Sequence, residues 1–202
     1  MRVSDQEKYT VQFRQTLHRY APVTDESFAE LLTIARFRTV KRNEYLLSVG
    51  QVAINKYFVC RGILVSVYLT EDGGEHTKNF FTEGNFAGST VSALQSAPSA
   101  FALRSLEEGV ILEYDHRQYK QLINERADLA RFYIAYLEQS WVIKNERRQI
   151  AFATQTATER YLTFFEEYPA LESRVPLRHV ASYLGITPTQ LSRIRKELQI
   201  IE

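Results

Sequence analysis

The most specific chemistry in this sequence is concentrated in ten residues near its C-terminus, Thr187-Pro188-Thr189-Gln190-Leu191-Ser192-Arg193-Ile194-Arg195-Lys196. At about 100° per residue, Leu191, Ile194 and Leu198 share one face of a helix. Thr189, Ser192, Arg193 and Lys196 fall on the opposite face, with Gln190 at its margin. A short polar and cationic face at the start of a helix suits the edges of DNA base pairs. An arginine fork can hold guanine O6 and N7 together, and a glutamine can pair with adenine. Arg195 and Lys196 are assigned to phosphates. The residues upstream supply what a preceding, crossing helix needs. Ala181 is small enough for close approach, Gly185 can adopt the left-handed conformation that ends a helix, and Ile186 fills the corner. Thr187 then caps the next helix, Pro188 takes a first position that needs no amide donor, and Gln190 completes a capping box. The pattern predicts a helix-turn-helix. An ordinary helical hairpin with a solvated outer face would not need all of these residue types at these offsets.

Other reactive residue types are sparse. Cys60 is the only cysteine, so no internal disulfide is available, and its apolar surroundings, Lys56-Tyr57-Phe58-Val59-Cys60, mark it as a small core residue. His18, His76, His116 and His179 have no metal-ligand spacing. No cofactor and no enzymatic activity are expected. The 202 residues are 45% hydrophobic and 24% charged, the balance of a folded globular chain. Net charge is only +1, yet residues 174–202 hold five lysines and arginines against two carboxylates. No apolar run reaches the ~18 residues of a membrane span, and the first residues lack the apolar stretch of a signal peptide, so the expected location is the cytoplasm and no membrane partner is expected.

The elements that must position the basic helix form an α+β chain. Residues 4–34 read as helices, with a capping box at Ser4 and Glu7 and a second start at Thr24. Residues 36–114 read as short strands rich in β-branched and aromatic residues and punctuated by glycine. Glu71-Asp72-Gly73-Gly74 is a hairpin signal between two of them. From Asp115, an N-cap followed by Gln118, the pattern is helical again, with no glycine or proline from His116 to Tyr168. Leu129, Tyr133, Tyr136, Ser140 and Ile143 recur at spacings of four and three, a near-heptad stripe read as a dimer interface. Thr156 and Glu159 form a further capping box after a break. The expected units are 1–125, a dimerisation helix and hinge over 126–153, and a DNA-binding unit over 154–202.

Three landmarks, Val49-Gly50-Gln51, Tyr57-Phe58-Val59-Cys60-Arg61-Gly62 and Glu83-Gly84-Asn85-Phe86-Ala87-Gly88, together with the long helix and the C-terminal motif, resemble the catabolite-activator (CRP/FNR) family of transcription regulators. The resemblance covers nearly the whole chain. It implies a β jelly roll (double-stranded β-helix) of the cyclic-nucleotide-binding type as effector domain, a dimerisation helix, and a C-terminal winged-helix-like unit reoriented by effector binding. It places the effector pocket at Gly88, Ser89, Thr90, Pro98, Ser99 and Ala100. Cyclic-nucleotide binders carry a glutamate after the glycine that Gly88 matches, and an Arg-Ser or Arg-Thr pair further on. This sequence has Ser89 and Pro98-Ser99, which lack the carboxylate and the phosphate-neutralising cation. Arg104 is the nearest substitute. The sequence stops four residues past Leu198, so wing contacts are expected before the recognition helix, near Glu172-Ser173-Arg174-Val175. The expected partners are double-stranded DNA with an inverted-repeat operator, a second copy of the chain, and a small-molecule effector other than cyclic AMP. The alternative is a ligand-independent regulator with a vestigial pocket. A cupin-type enzyme would need clustered His and Glu ligands on the strands, where His76 stands alone.

Overall fold

The computed structural model describes residues 3–70 and 73–198. Helices α1 (Val3–Tyr20) and α2 (Asp25–Thr33) precede eight strands. These are β1 (Ala35–Val40), β2 (Tyr45–Leu47), β3 (Asn55–Arg61), β4 (Leu64–Leu69), β5 (Glu75–Phe81), β6 (Phe86–Ala87), β7 (Ala102–Ser105) and β8 (Gly109–Asp115), with the short helix α3 (Thr90–Gln95) between β6 and β7. They build two four-stranded antiparallel sheets, ordered β1-β8-β3-β6 and β2-β7-β4-β5. β4 and β5 form the expected hairpin with Gly73 at φ +79°; Glu71 and Asp72 lie outside the described residues. Ser4 lies inside α1 rather than at its cap. Thr24 and Asp115 cap α2 and the helix after β8 through their side chains.

Strand alternation sorts the apolar residues into three cores. Between the sheets, Val59, Leu64, Leu103 and Ile111 interdigitate. On the outer face of the first sheet, Phe58, Cys60, Val110 and Leu112 pack against Phe13, Leu31, Leu129 and Phe132 from the helices. On the outer face of the second sheet, Ile63, Val65, Val67 and Phe80 pack against the C-terminal helices. Both sheets are therefore covered on both faces, which is why β4 reads as an apolar run rather than as an alternation.

The glycine-free stretch is not one continuous α-helix. α4 (His116–Glu125) ends at Arg126, which is extended at φ −117°, ψ 108°. α5 (Ala127–Leu137) runs through a π-helical turn at Glu138–Ile143 into α6 (Lys144–Thr154). α7 (Ala157–Glu167) starts at the Thr156–Glu159 capping box, and α8 (Leu177–Leu184) and α9 (Pro188–Glu197) follow.

The extended Arg126 and the π-helical turn reset the phase of the helix, and most residues of the expected dimer stripe make contacts within the chain itself. Leu129 is fully buried in the chain's own first core. Tyr133 packs on Tyr119, Tyr136 stacks on Phe132 and meets Tyr20 and Phe86 edge-on, and the Ser140 hydroxyl lies 2.9 Å from that of Tyr20. Of the five, only Ile143 is exposed. The residues left outward are Ile134, Val142 and Ile150, at 55%, 62% and 56% exposure, two helical turns apart.

Candidate nucleic-acid interface and effector region

α8 ends at Gly185, whose φ of +70° requires the left-handed region. Thr187 Oγ1 accepts from the Gln190 amide at 3.1 Å, and Gln190 Oε1 accepts from the Thr187 amide at 2.9 Å, closing the box that starts α9 with Pro188 in its first turn. Leu191 and Ile194 are buried against Ala181 and Leu184. Thr189, Ser192, Arg193 and Lys196 are exposed along the opposite side, as the spacing predicts. Among the described residues Arg193 reaches one carboxylate, the exposed Glu197, at 3.5 Å. Gln190 is exposed, but its carbonyl oxygen is committed to the cap, so only its amide nitrogen is left to read a base.

Arg195 is not on this surface. Its Nε lies 3.1 Å from Glu172 without hydrogen-bond alignment, in a half-buried ion pair under the turn before α8. Arg195, expected from the sequence to meet phosphate, is here neutralised by a carboxylate distant in sequence. Arg174 is committed in the same way. Its guanidinium bonds both oxygens of Glu83, at 3.0 and 2.7 Å, and also pairs with Glu107. It ties the turn before α8 to two loops of the β domain and is not a free wing contact.

The residues assigned to the effector pocket are divided between the interior and the surface. Ser89 and Ser99 are buried, and the Ser99 hydroxyl lies 3.0 Å from that of Ser89 and 2.8 Å from the Phe101 carbonyl. Pro98 and Ala100 are exposed, with Pro98 bridged to Val52. Gly88 and Thr90 border a space of about 20 Å³, room for one water, on the helical side. Sequence reasoning did not select Lys56, whose ammonium donates to Thr90 Oγ1 at 2.6 Å and is pushed down to about 8 by burial. Arg104 follows the inward-facing Leu103 and so points to the other side of its strand, where it pairs with Glu75 at 2.7 Å. The Leu103-Arg104 alternation was the sequence signal for that direction.

The C-terminal helices dock on the second sheet through polar as well as apolar contacts. The Thr77 amide donates to Ser182 Oγ at 2.8 Å, and Thr77 Oγ1 lies 3.1 Å from His179 Nδ1. His179 Nε2 is buried without a partner. A second ring proton would be buried there, so burial, reinforced by Arg178 and Arg104 and opposed by Glu75, holds the imidazole below its usual pKa of 6.5. Phe80 packs against Phe164 and Tyr183 at 6.1 and 5.5 Å between centroids.

Residues 37–126 match the sequence profile of the cyclic nucleotide-binding domain. No curated protein is similar to the chain in sequence. Among solved structures, the chain resembles CRP/FNR-type regulators. One is the c-di-GMP-responsive global regulator CLP of Xanthomonas campestris, with TM-score 0.68, 18% identity, and coverage of 88% of this chain and 92% of that one. FixK2 of Bradyrhizobium japonicum gives 0.67 at 19% identity, covering 83% and 85% of the two chains. The Thermus thermophilus catabolite activator protein gives 0.57 at 16%, covering 91% and 86%. At these identities the likeness is one of fold: an α+β chain with antiparallel sheets and several helices.

The buried neutral His179 predicts a pH-dependent dock. A depressed folded-state pKa contributes stability that is complete above the unfolded value of 6.5 and is lost as pH falls below it. His179→Gln loses the fitted ring and should cost roughly 1–3 kcal/mol at neutral pH. In denaturant titrations the gap between wild type and variant should shrink as the pH is lowered through the 6.5 region. A gap that stays constant with pH would show that the ring's protonation state does not matter.

Proposed function

We propose that this chain is a homodimeric, sequence-specific DNA-binding transcription regulator of the CRP/FNR type, with a jelly-roll effector domain and a helix-turn-helix in residues 177–198. It acts in the cytoplasm and is not an enzyme. The observation that carries the reading is the outer face of α9. Its cap and core residues hold the helix rigidly, while Thr189, Ser192, Arg193 and Lys196 stay exposed. A short cationic face beginning at a capped N-terminus is the surface that a recognition helix presents to the major groove.

In this reading the effector is a small molecule other than a cyclic nucleotide. Ser89 stands where the carboxylate would be needed and Pro98 where the cationic partner would be; the Ser89 and Ser99 hydroxyls bond each other instead, and Arg104 points away. Calorimetry with cyclic AMP and cyclic GMP should show no binding in the micromolar range. Micromolar affinity for either would establish an ordinary nucleotide pocket instead.

The dimer is proposed to form on the outward residues of the long helix, Ile134, Val142, Ile143 and Ile150, rather than on the stripe centred on Tyr136. Val142→Glu should sediment as a monomer at concentrations where the wild type sediments as a dimer, with unchanged circular dichroism. A variant that stays dimeric would place the contact elsewhere.

Two-fold symmetry would set the recognition helices about one helical turn (~34 Å) apart, so the operator is expected to be an inverted repeat. Arg193→Ala should cost roughly 1–3 kcal/mol on the cognate site and relax preference at one base pair in each half-site. Lys196→Ala should weaken binding to all sequences alike and lower the salt slope by about one per contact. A panel of operator variants distinguishes the two. If both substitutions act uniformly across the panel, α9 grips only the backbone and sequence is read elsewhere.

A further inference from the structure

A cleft of about 640 Å³ lies between β5 and the loop after it, α6, α7 and the end of α8. That volume is within the range of small-molecule sites, roughly 300–1,000 Å³. It is bounded on several sides by aromatic rings, among them Phe80, Trp141, Phe152 and Tyr183.

Its charge is positive: Lys144, Arg147, Arg148 and Arg160 line it against the two carboxylates Glu166 and Glu167. Arg148 donates to the Lys78 carbonyl at 2.5 Å and to Asn79 Oδ1 at 2.9 Å, with its guanidinium 4.3 Å from the Tyr183 ring. Arg160 donates to the Gln155 carbonyl at 2.7 Å and the Leu184 carbonyl at 3.2 Å, and lies 5.0 Å from the Phe152 ring. Among the described residues neither guanidinium meets a carboxylate, and Arg147, exposed at the cleft, has no ion pair. Neutral acceptors fix the geometry of Arg148 and Arg160 but leave their charge unbalanced. Lys144 is neutralised by Glu167 at 3.0 Å. A third feature is independent of charge: Gln155, also on the cleft wall, has its side-chain oxygen buried with no hydrogen-bond partner. An acceptor left in that state calls for an N–H or O–H donor.

We infer that this cleft is the binding site for a planar aromatic anion, a fused ring bearing a carboxylate or phosphate and a donor that reaches Gln155. The ring packs among the aromatic walls, and the acid meets the unpaired guanidinium donors in charge-assisted bonds. The walls belong to the second sheet, the hinge helix and the C-terminal helices, so an occupant bridges all three. This supplies the effector site of the proposed regulator. Its consequence for DNA rests on that reading, whereas binding itself does not.

The test uses the full chain without DNA and anilinonaphthalene sulfonate, a planar aryl anion, as probe. Trp141 lines the cleft and is the only tryptophan, so energy transfer from it reports bound probe, and the loss of that signal in the Arg147 variant assigns it to the cleft. The expected result is one saturable site per chain, with affinity reduced about tenfold in Arg147→Gln at unchanged melting temperature. The neutral analogue phenylnaphthylamine should bind at least about tenfold more weakly than the sulfonate. Guanosine monophosphate and naphthoate are then used as competitors. Displacement by the first identifies a nucleotide-like occupant, and by the second an aryl acid. The inference is overturned if the neutral probe binds as tightly as the anion, if Arg147→Gln changes nothing, or if neither competitor displaces the probe. Because no DNA is present, such a failure leaves the DNA-binding proposal intact, and loss of operator binding leaves the cleft intact.

Discussion

The second sheet is buried on both faces, and the placement of α7, α8 and α9 follows from that. Leu64 and Leu103 fill the space between the sheets, while Ile63, Val65, Val67 and Phe80 face outward into the C-terminal helices. Burying a large apolar side chain is worth roughly 1.5–3 kcal/mol, and an outer face of this composition would not stay solvated. α7, α8 and α9 are therefore held against the sheet rather than tethered to it. The apolar contacts supply most of the attraction. The polar ones, Thr77 to Ser182 and His179 and Arg174 to Glu83, set the register and make it sensitive to conditions. Directional groups within a non-directional interface fix one docking geometry among several of similar buried area.

The π-helical turn at Glu138–Ile143 performs the other necessary division of labour. Upstream of it the helix gives its aromatic side, Phe132 and Tyr136, to the first core. Downstream, α6 turns Arg148 and Phe152 toward the cleft. A uniform α-helix would carry one seam along its length. One widened turn lets a single stretch of chain serve the β domain, the cleft and an outward face, and such turns recur at functional places in helices.

What could be read from the sequence was the local chemistry. Gly185, Thr187, Pro188 and Gln190 act through neighbours within a few residues, so their roles in ending α8 and starting α9 followed from residue type and spacing. What could not be read depended on distant partners. The heptad count at Leu129, Tyr133, Tyr136 and Ser140 found a real seam but could not tell the chain's own domain from a second copy. Nothing in the glycine-free run announced the extended Arg126 or the π turn. Arg195 looked like a phosphate contact because Glu172 is far away in sequence. Arg104 is a different case: its alternation with an apolar neighbour already indicated the outer face. The cleft is assembled from five separate segments, and no single one of them carries its signature.

The cleft and the start of α9 are physically continuous. Arg160 spans the junction of α6 with α7 and the end of α8, holding the carbonyl of Gln155 with one nitrogen and that of Leu184 with another. Leu184 is the last residue of α8, and the next is the left-handed Gly185. Phe152, on the cleft wall beneath Arg160, lies so close to Gly185 that a Cβ there would stand 3.0 Å from its ring. Gly185 is thus required by its backbone angle, and a side chain there would also press on the Phe152 ring. An occupant that shifts Arg160 or Phe152 must disturb the carbonyl and the van der Waals contact that set the turn. Because α9 is capped rigidly at Thr187, two residues beyond Gly185, a change at the turn is carried into the direction of the whole helix rather than absorbed by fraying at its end.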